Sequence, residues 1–197
     1  MSDDIFEVLL HPHPILKKKT KIVEKFDEDL KDWSEKMFRT MNMNFGIGLA
    51  APQVGDLRRA FVMDVTTNYS PEEFAQLNSM EPLDIEDDFE DDIPEKDGNP
   101  LVVINPQIIN SSGESIYEEG CLSIPGVRQQ IVRNAFVELK YQDLTGKEVI
   151  SQFEKLEAVC VQHELDHLNG MLIFDRTPIV RRSFLEKKYL KSLKSKT

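Results

Sequence analysis

Apolar positions recur along this chain with two periods. In DEDLKDWSEKMFRTMNMNF (27–45), Leu30, Trp33, Met37, Met41 and Phe45 fall every three to four residues. That stripe predicts an amphipathic helix of about five turns, with Asp27 as its N-cap, packed on a sheet. From Arg58 onward the pattern becomes short, β-branched and often alternating. RRAFVMDV (58–65), LVVINPQII (101–109), VRQQIVR (127–133), AFVELKYQD (135–143) and EVISQF (148–153) each predict a strand, the last two joined through LTGK as a hairpin. Helical spacing returns from about Glu154 through Leu168. A third helix is expected from about Pro178, with Thr177 as N-cap and Pro178 in its first turn. Few helices and many strands predict an α+β architecture.

Two segments interrupt these periods. GIGLAAPQVGD (46–56) carries paired glycines and Pro52, which oppose a regular helix and predict a shaped loop where backbone approaches something closely. The residues between the first two strands have no apolar periodicity and read as an acidic surface insert at about 67–100.

Composition bounds the rest. The 197 residues, 40% of them hydrophobic, suffice for one core, so a single domain over 1–197 is expected. No window approaches the ~20 apolar residues of a membrane span, and the N-terminus lacks a signal sequence. With two cysteines, Cys121 and Cys160, a disulfide framework is not expected and a cytoplasmic location is. The net charge of −11 argues against DNA as a partner of the whole surface, but it is unevenly spread. EPLDIEDDFEDDIPEKD (81–97) has ten acids against one lysine, a balance of −9, whereas Arg176 to Thr197 has eight bases against one acid, a balance of +7. A basic C-terminal helix at about 178–197 is the result.

The chemistry begins at QHELDHLNG (162–170), which contains H-E-x-x-H. At about 100° per helical residue, His163 and His167 project within about 40° of one another and reach one metal ion, with Glu164 beside it. Leu156, Val159 and Cys160 share the face of His163, so the metal would sit against apolar walls. Two histidines do not complete a site. Ile173 stands where a metzincin would have its third histidine, which excludes that class. Glu186 is a downstream candidate in a cationic helix, where pairing with lysines is the expected role; His11 and His13 lie in a proline-bounded start. Cys121, in YEEGCLSIPG, stands at a bend marked by Gly120, Pro125 and Gly126. The residues alone leave the third ligand open among these.

GIGLAAPQ (46–53), EGCLS (119–123) and QHELDH (162–167) together resemble, in order and at each defining position, the three signature motifs of the peptide deformylases. That resemblance implies a mostly antiparallel β-fold packed around a central metal-binding helix. It implies Cys121, His163 and His167 as ligands of one Fe(II), replaceable by zinc, nickel or cobalt, and Glu164 as general base. It implies Gln53 and the Leu122 N–H as oxyanion donors. It implies a formyl-methionyl nascent peptide as substrate, held by Ile47, Gly48, Glu119, Gly120 and Arg128, with Leu156, Val159 and Cys160 around the methionine. Glu119 and Asp166 are expected to orient a ligand imidazole or a nearby arginine. The acidic insert is longer than the family pattern, and the basic tail agrees with a subclass that docks at the ribosome. Two competing readings are a cytosolic metallopeptidase using Glu186 and a metal-binding interaction module without catalysis.

Overall fold

The computed structural model describes residues 5–65 and 99–194. The acidic insert thus lies outside the described residues except for residues 99 and 100. Helix α1, Glu28–Met43, is capped by Asp27, whose carboxylate accepts the Leu30 N–H at 3.3 Å. Leu30, Trp33, Met37 and Met41 are buried as the stripe predicts, but Phe45 is not part of it. The helix ends two residues earlier in a paired cap: the Gly46 N–H returns to the Met41 carbonyl and the Phe45 N–H to that of Asn42. This closure puts Phe45 in the left-handed region at φ 54° and leaves its ring 41% exposed.

Five strands form one sheet in the order β1-β2-β3-β6-β7, where β1 is Gly48–Ala50, β2 Ala60–Met63, β3 Leu101–Ser112, β6 Phe136–Gln142 and β7 Glu148–Glu154. All four pairings are antiparallel. β1 lies inside the segment expected to be a shaped loop; a 3-10 turn over Ala51–Val54 follows it and ends at Gly55, φ 83°. β4, Ser115–Glu119, and β5, Gln129–Arg133, make a separate antiparallel pair.

Helices cover both faces of the large sheet, so β2 is buried at all four of its residues. Ala60 and Val62 pack with Leu49, Ile104 and the α1 stripe; Phe61 and Met63 pack with Val103, Val137, Leu139 and helix α2, Lys155–Leu168. The strand period of two therefore divides the apolar residues between two cores. A third cluster joins Leu16, Ile124, Leu172, Phe174 and Tyr189 beneath the turn after β4.

After α2 the chain makes a short helix α3, Ile173–Arg176, and then α4, Ile179–Lys194. Thr177 does not serve as the expected N-cap. Its hydroxyl donates to the Ile173 carbonyl at 3.0 Å, which closes α3, and the Pro178 carbonyl begins the bonding of α4.

Candidate metal centre

Helix α2 supplies two adjacent imidazoles. One turn apart, His163 and His167 have ring centroids separated by 5.0 Å and Nε2 atoms by 3.2 Å. The turn after β4 brings the Cys121 Sγ to 3.3 Å from the His167 Nε2. Among the described residues these three form the one cluster able to hold a metal, with ligand atoms all within 4.8 Å of one another. A tetrahedral ion with bonds of about 2.0–2.3 Å holds its ligand atoms about 3.3–3.6 Å apart, close to the two separations quoted. One thiolate with two imidazoles suits borderline and softer divalent cations rather than magnesium or calcium. Burial, and then the charge of His163, hold the His167 pKa well below the ordinary imidazole value, so its Nε2 is available as a neutral ligand.

The other proposed ligands lie elsewhere. His11 Nε2 and Glu186 Oε1 meet each other at 2.9 Å, and the His13 Nδ1 accepts the Ile15 N–H. Glu186 therefore lies away from the cluster and, among the described residues, pairs with His11 rather than with lysines as expected. It sits three residues before the buried Tyr189 on the inward face of α4 and reaches the N-terminal segment.

Behind the ligands lies a buried chain of charges. The Glu119 Oε2 is 2.9 Å from the His163 Nδ1, which directs the Nε2 of that ring toward the cluster. Arg133 donates to both oxygens of Glu119, at 2.7 and 2.9 Å, and to Asp166 at 2.6 Å. Asp166 in turn accepts from Arg176. Burial pushes the Glu119 carboxyl up, but the hydrogen bonds from Arg133 and His163 outweigh it and hold the pKa at about 2. Glu119 and Asp166 thus take up the two expected arrangements, one on an imidazole and one on an arginine. Arg133 was not singled out from sequence. In QQIVR its register with Gln129 and Ile131 puts a charge on the buried face of a strand, which is the signal that marks it.

Glu164 is 3% exposed, and its Oε2 has no hydrogen-bond partner among the described residues. Burial raises its pKa to about 7. A Cβ at Gly48 would collide with the Glu164 Oε1 and come within 2.8 Å of the Cys160 Sγ, so the β1 backbone lies directly against the Glu164 carboxylate. The Gln53 amide is fixed at both ends: its Oε1 accepts the Ala50 N–H at 2.8 Å, while its Nε2 faces the Ser123 Oγ at 3.3 Å and the Cys121 Sγ at 3.8 Å. The Leu122 N–H has no backbone partner among the described residues. Ile47, Leu156 and Cys160 come together in one apolar cluster, with the Cys160 thiol 3.5 Å from the Ile47 carbonyl, and Val159 is buried on the same helix. Gly120 is exposed beside Cys121. Arg128, half-buried before β5, makes no ion pair among the described residues, and its carbonyl accepts from the Gln129 side chain.

Comparison with known proteins agrees with this geometry. The family described as Polypeptide deformylase matches residues 5–183. A peptide deformylase of Thermotoga neapolitana is 39% identical over 193 residues, 97% of this chain and 98% of that protein. One from Dictyoglomus thermophilum is 42% identical over 163 residues, 83% of this chain and 86% of that protein. The crystal structure of a peptide deformylase from Legionella pneumophila superposes with a TM-score of 0.76 at 34% identity, covering 98% of this chain and 99% of that one. The chain belongs to the peptide deformylase family, hydrolases that remove the N-terminal formyl group from nascent peptides.

Proposed function

We propose that Cys121, His163 and His167 hold one Fe(II), with zinc, nickel or cobalt as replacements, and that Glu164 is the general base for hydrolysis of the formyl group on an N-terminal methionine. The convergence of a thiol and two imidazoles beside a buried carboxylate, whose Oε2 has no hydrogen-bond partner among the described residues, is the observation that carries this reading. A divalent cation in such a site polarises a carbonyl and lowers the pKa of water. Glu164 takes the proton of the attacking water and passes it to the departing amine. The Gln53 Nε2 and Leu122 N–H donate to the oxyanion that forms on the former carbonyl. Glu119 keeps the His163 ring in place.

The substrate lies along β1 and the end of β4, with main-chain contacts at Ile47, Gly48, Glu119 and Gly120, and Arg128 beside the peptide. Ile47, Leu156, Val159 and Cys160 line an apolar slot for the methionine side chain. Rejection of larger acyl groups follows from crowding: at both Gly46 and Gly48 an added Cβ would overlap neighbouring side chains. The expected location is the cytoplasm, and no helix among the described residues is long and apolar enough to cross a membrane. The basic face of α4 is the surface proposed to meet ribosomal RNA phosphate.

Formate release from a formyl-methionyl peptide, with the acetyl-methionyl peptide in parallel, tests the reading. Rapid release from the first and none from the second is expected; equal release of formate and acetate would contradict it. For the ribosome contact, co-sedimentation should fall when the chain is truncated after Arg176.

A further inference from the structure

Two residues weighed as metal ligands from sequence, His11 and Glu186, form a pair that faces the back of the metal-site turn. The His11 N–H donates to the Ser123 carbonyl at 2.8 Å. Its ring packs against Phe174 and Tyr189, with centroids at 5.5 and 5.9 Å, and its Nε2 meets the Glu186 Oε1 at 2.9 Å. The same Ser123 carbonyl lies 3.5 Å from the Tyr189 hydroxyl, which donates to it. Glu186 and Tyr189 are three residues apart and share one face of α4. Tyr189 is the one fully buried residue of that helix, whereas Ile179, Val180 and Phe184 are 80, 87 and 68% exposed. The N-terminal segment continues the connection: Leu9 donates to the Gln53 carbonyl, and the Gln53 Nε2 donates to the Ser123 Oγ. Both ends of the oxyanion-donor pair, Gln53 and the residues flanking Leu122, are thus tied to one stretch of chain that α4 holds through the His11–Glu186 hydrogen bond.

The His11 side chain is 7% exposed and the Glu186 side chain 29%, so the imidazole depends on the carboxylate as its hydrogen-bond partner more than the reverse. Loss of Glu186 therefore leaves the buried His11 Nε2 without its partner and loosens the segment whose backbone N–H holds the Ser123 carbonyl. We propose that His11 and Glu186 are positioning residues that lock α4 against the Cys121–Ser123 turn, so that the thiolate and the Leu122 N–H keep their places. This rests on the proposed function in taking Cys121 as a ligand.

The test uses full-length, cobalt-loaded protein and reads cobalt loss to a chelator through the thiolate-to-cobalt absorption band. Glu186→Ala is expected to lose cobalt about tenfold faster than wild type and to shift the band, since contacts behind a metal ligand commonly set affinity by that order. His11→Gln, whose amide can still donate to Glu186, should restore slow loss. Ser183→Ala, on the exposed face of α4, should match wild type. Should Glu186→Ala fail to fold, Tyr189→Phe, which deletes one oxygen, is expected to speed cobalt loss in the same direction. Wild-type rates of cobalt loss and an unshifted band in Glu186→Ala, or in Tyr189→Phe if that variant replaces it, would overturn the proposal. Formate release by the wild type, measured alongside, tests the parent reading separately: a chain that binds cobalt without releasing formate contradicts that reading and leaves the cobalt comparison intact.

Discussion

Arg133 grips Glu119 at two points, through its Nε at 2.7 Å and its Nη2 at 2.9 Å, with both side chains at most 5% exposed. The pair joins the two strands of the β4–β5 hairpin and fixes the carboxylate that holds His163. Its value lies in completeness, because a buried charge that loses its partner is left without solvent. Arg133→Met leaves Glu119 and Asp166 facing an apolar side chain. Urea unfolding should show a loss of about 3–5 kcal/mol. Arg133→Lys should recover little, since one ammonium cannot reproduce the two-point bond.

The depressed Glu119 pKa makes stability depend on pH in a stated direction. Its value falls from 4.5 to about 2 on folding. A carboxylate with a lowered folded pKa contributes its full stabilisation above the unfolded value and loses it as pH falls through the folded one. That contribution is roughly 3 kcal/mol. The stability gap between wild type and Glu119→Gln should therefore be constant above pH ~5 and shrink between about pH 4.5 and pH 2. A gap independent of pH over that window would show that the ion pair contributes nothing of this kind.

Gly48 leaves no room for a side chain. In Gly48→Ala the new methyl meets the Glu164 carboxylate and the Cys160 sulfur, and one of them must move. Overpacking of this kind costs about 1–3 kcal/mol. Because the tightest of these contacts is with the proposed base, kcat should fall by at least tenfold, about 1.4 kcal/mol of barrier, while metal content stays at one per chain. Unchanged kcat would show that the added methyl does not displace the Glu164 carboxylate from a working position.

The pH profile of activity should carry an acid limb. Burial raises the Glu164 pKa to about 7, and the proposed base works only when deprotonated, so activity should be lost as pH falls. A bound cation favours the carboxylate, which puts the midpoint of kcat/KM at or below about pH 7. The limb should disappear from the residual activity of Glu164→Gln. An acid limb of unchanged midpoint in that variant would assign the titration to another group.

How much of this was legible in the sequence depended on the span of the contact. His163, Glu164 and His167 lie within one turn of helix, so their period alone brings the two imidazoles together. Cys121 stands 42 residues before His163, and the residues left it open among Glu186, His11 and His13 until the motif resemblance singled it out. No local pattern encodes that the β4–β5 hairpin folds over α2. The same limit hid the partners of Arg133, which come from β4 and α2, and the His11–Glu186 pair, which joins positions 175 residues apart. Near misses were of another kind. Phe45 fits the apolar stripe, but the Gly46 that follows allows an early cap, and Thr177 precedes a proline yet bonds backward to Ile173. Both are choices between two satisfactory local bonds, which the helical period does not decide.

The most direct test of the central claim measures formate released per bound metal ion by Glu164→Ala and by wild type, each purified without oxygen and loaded with Fe(II). The variant keeps all three ligands, so one metal per chain is expected in both proteins. Formate release should fall by a factor of about 10²–10⁴ in the variant. Equal release by the two proteins at equal metal content would contradict the assignment of Glu164 as the base, and with it the mechanism proposed for this site.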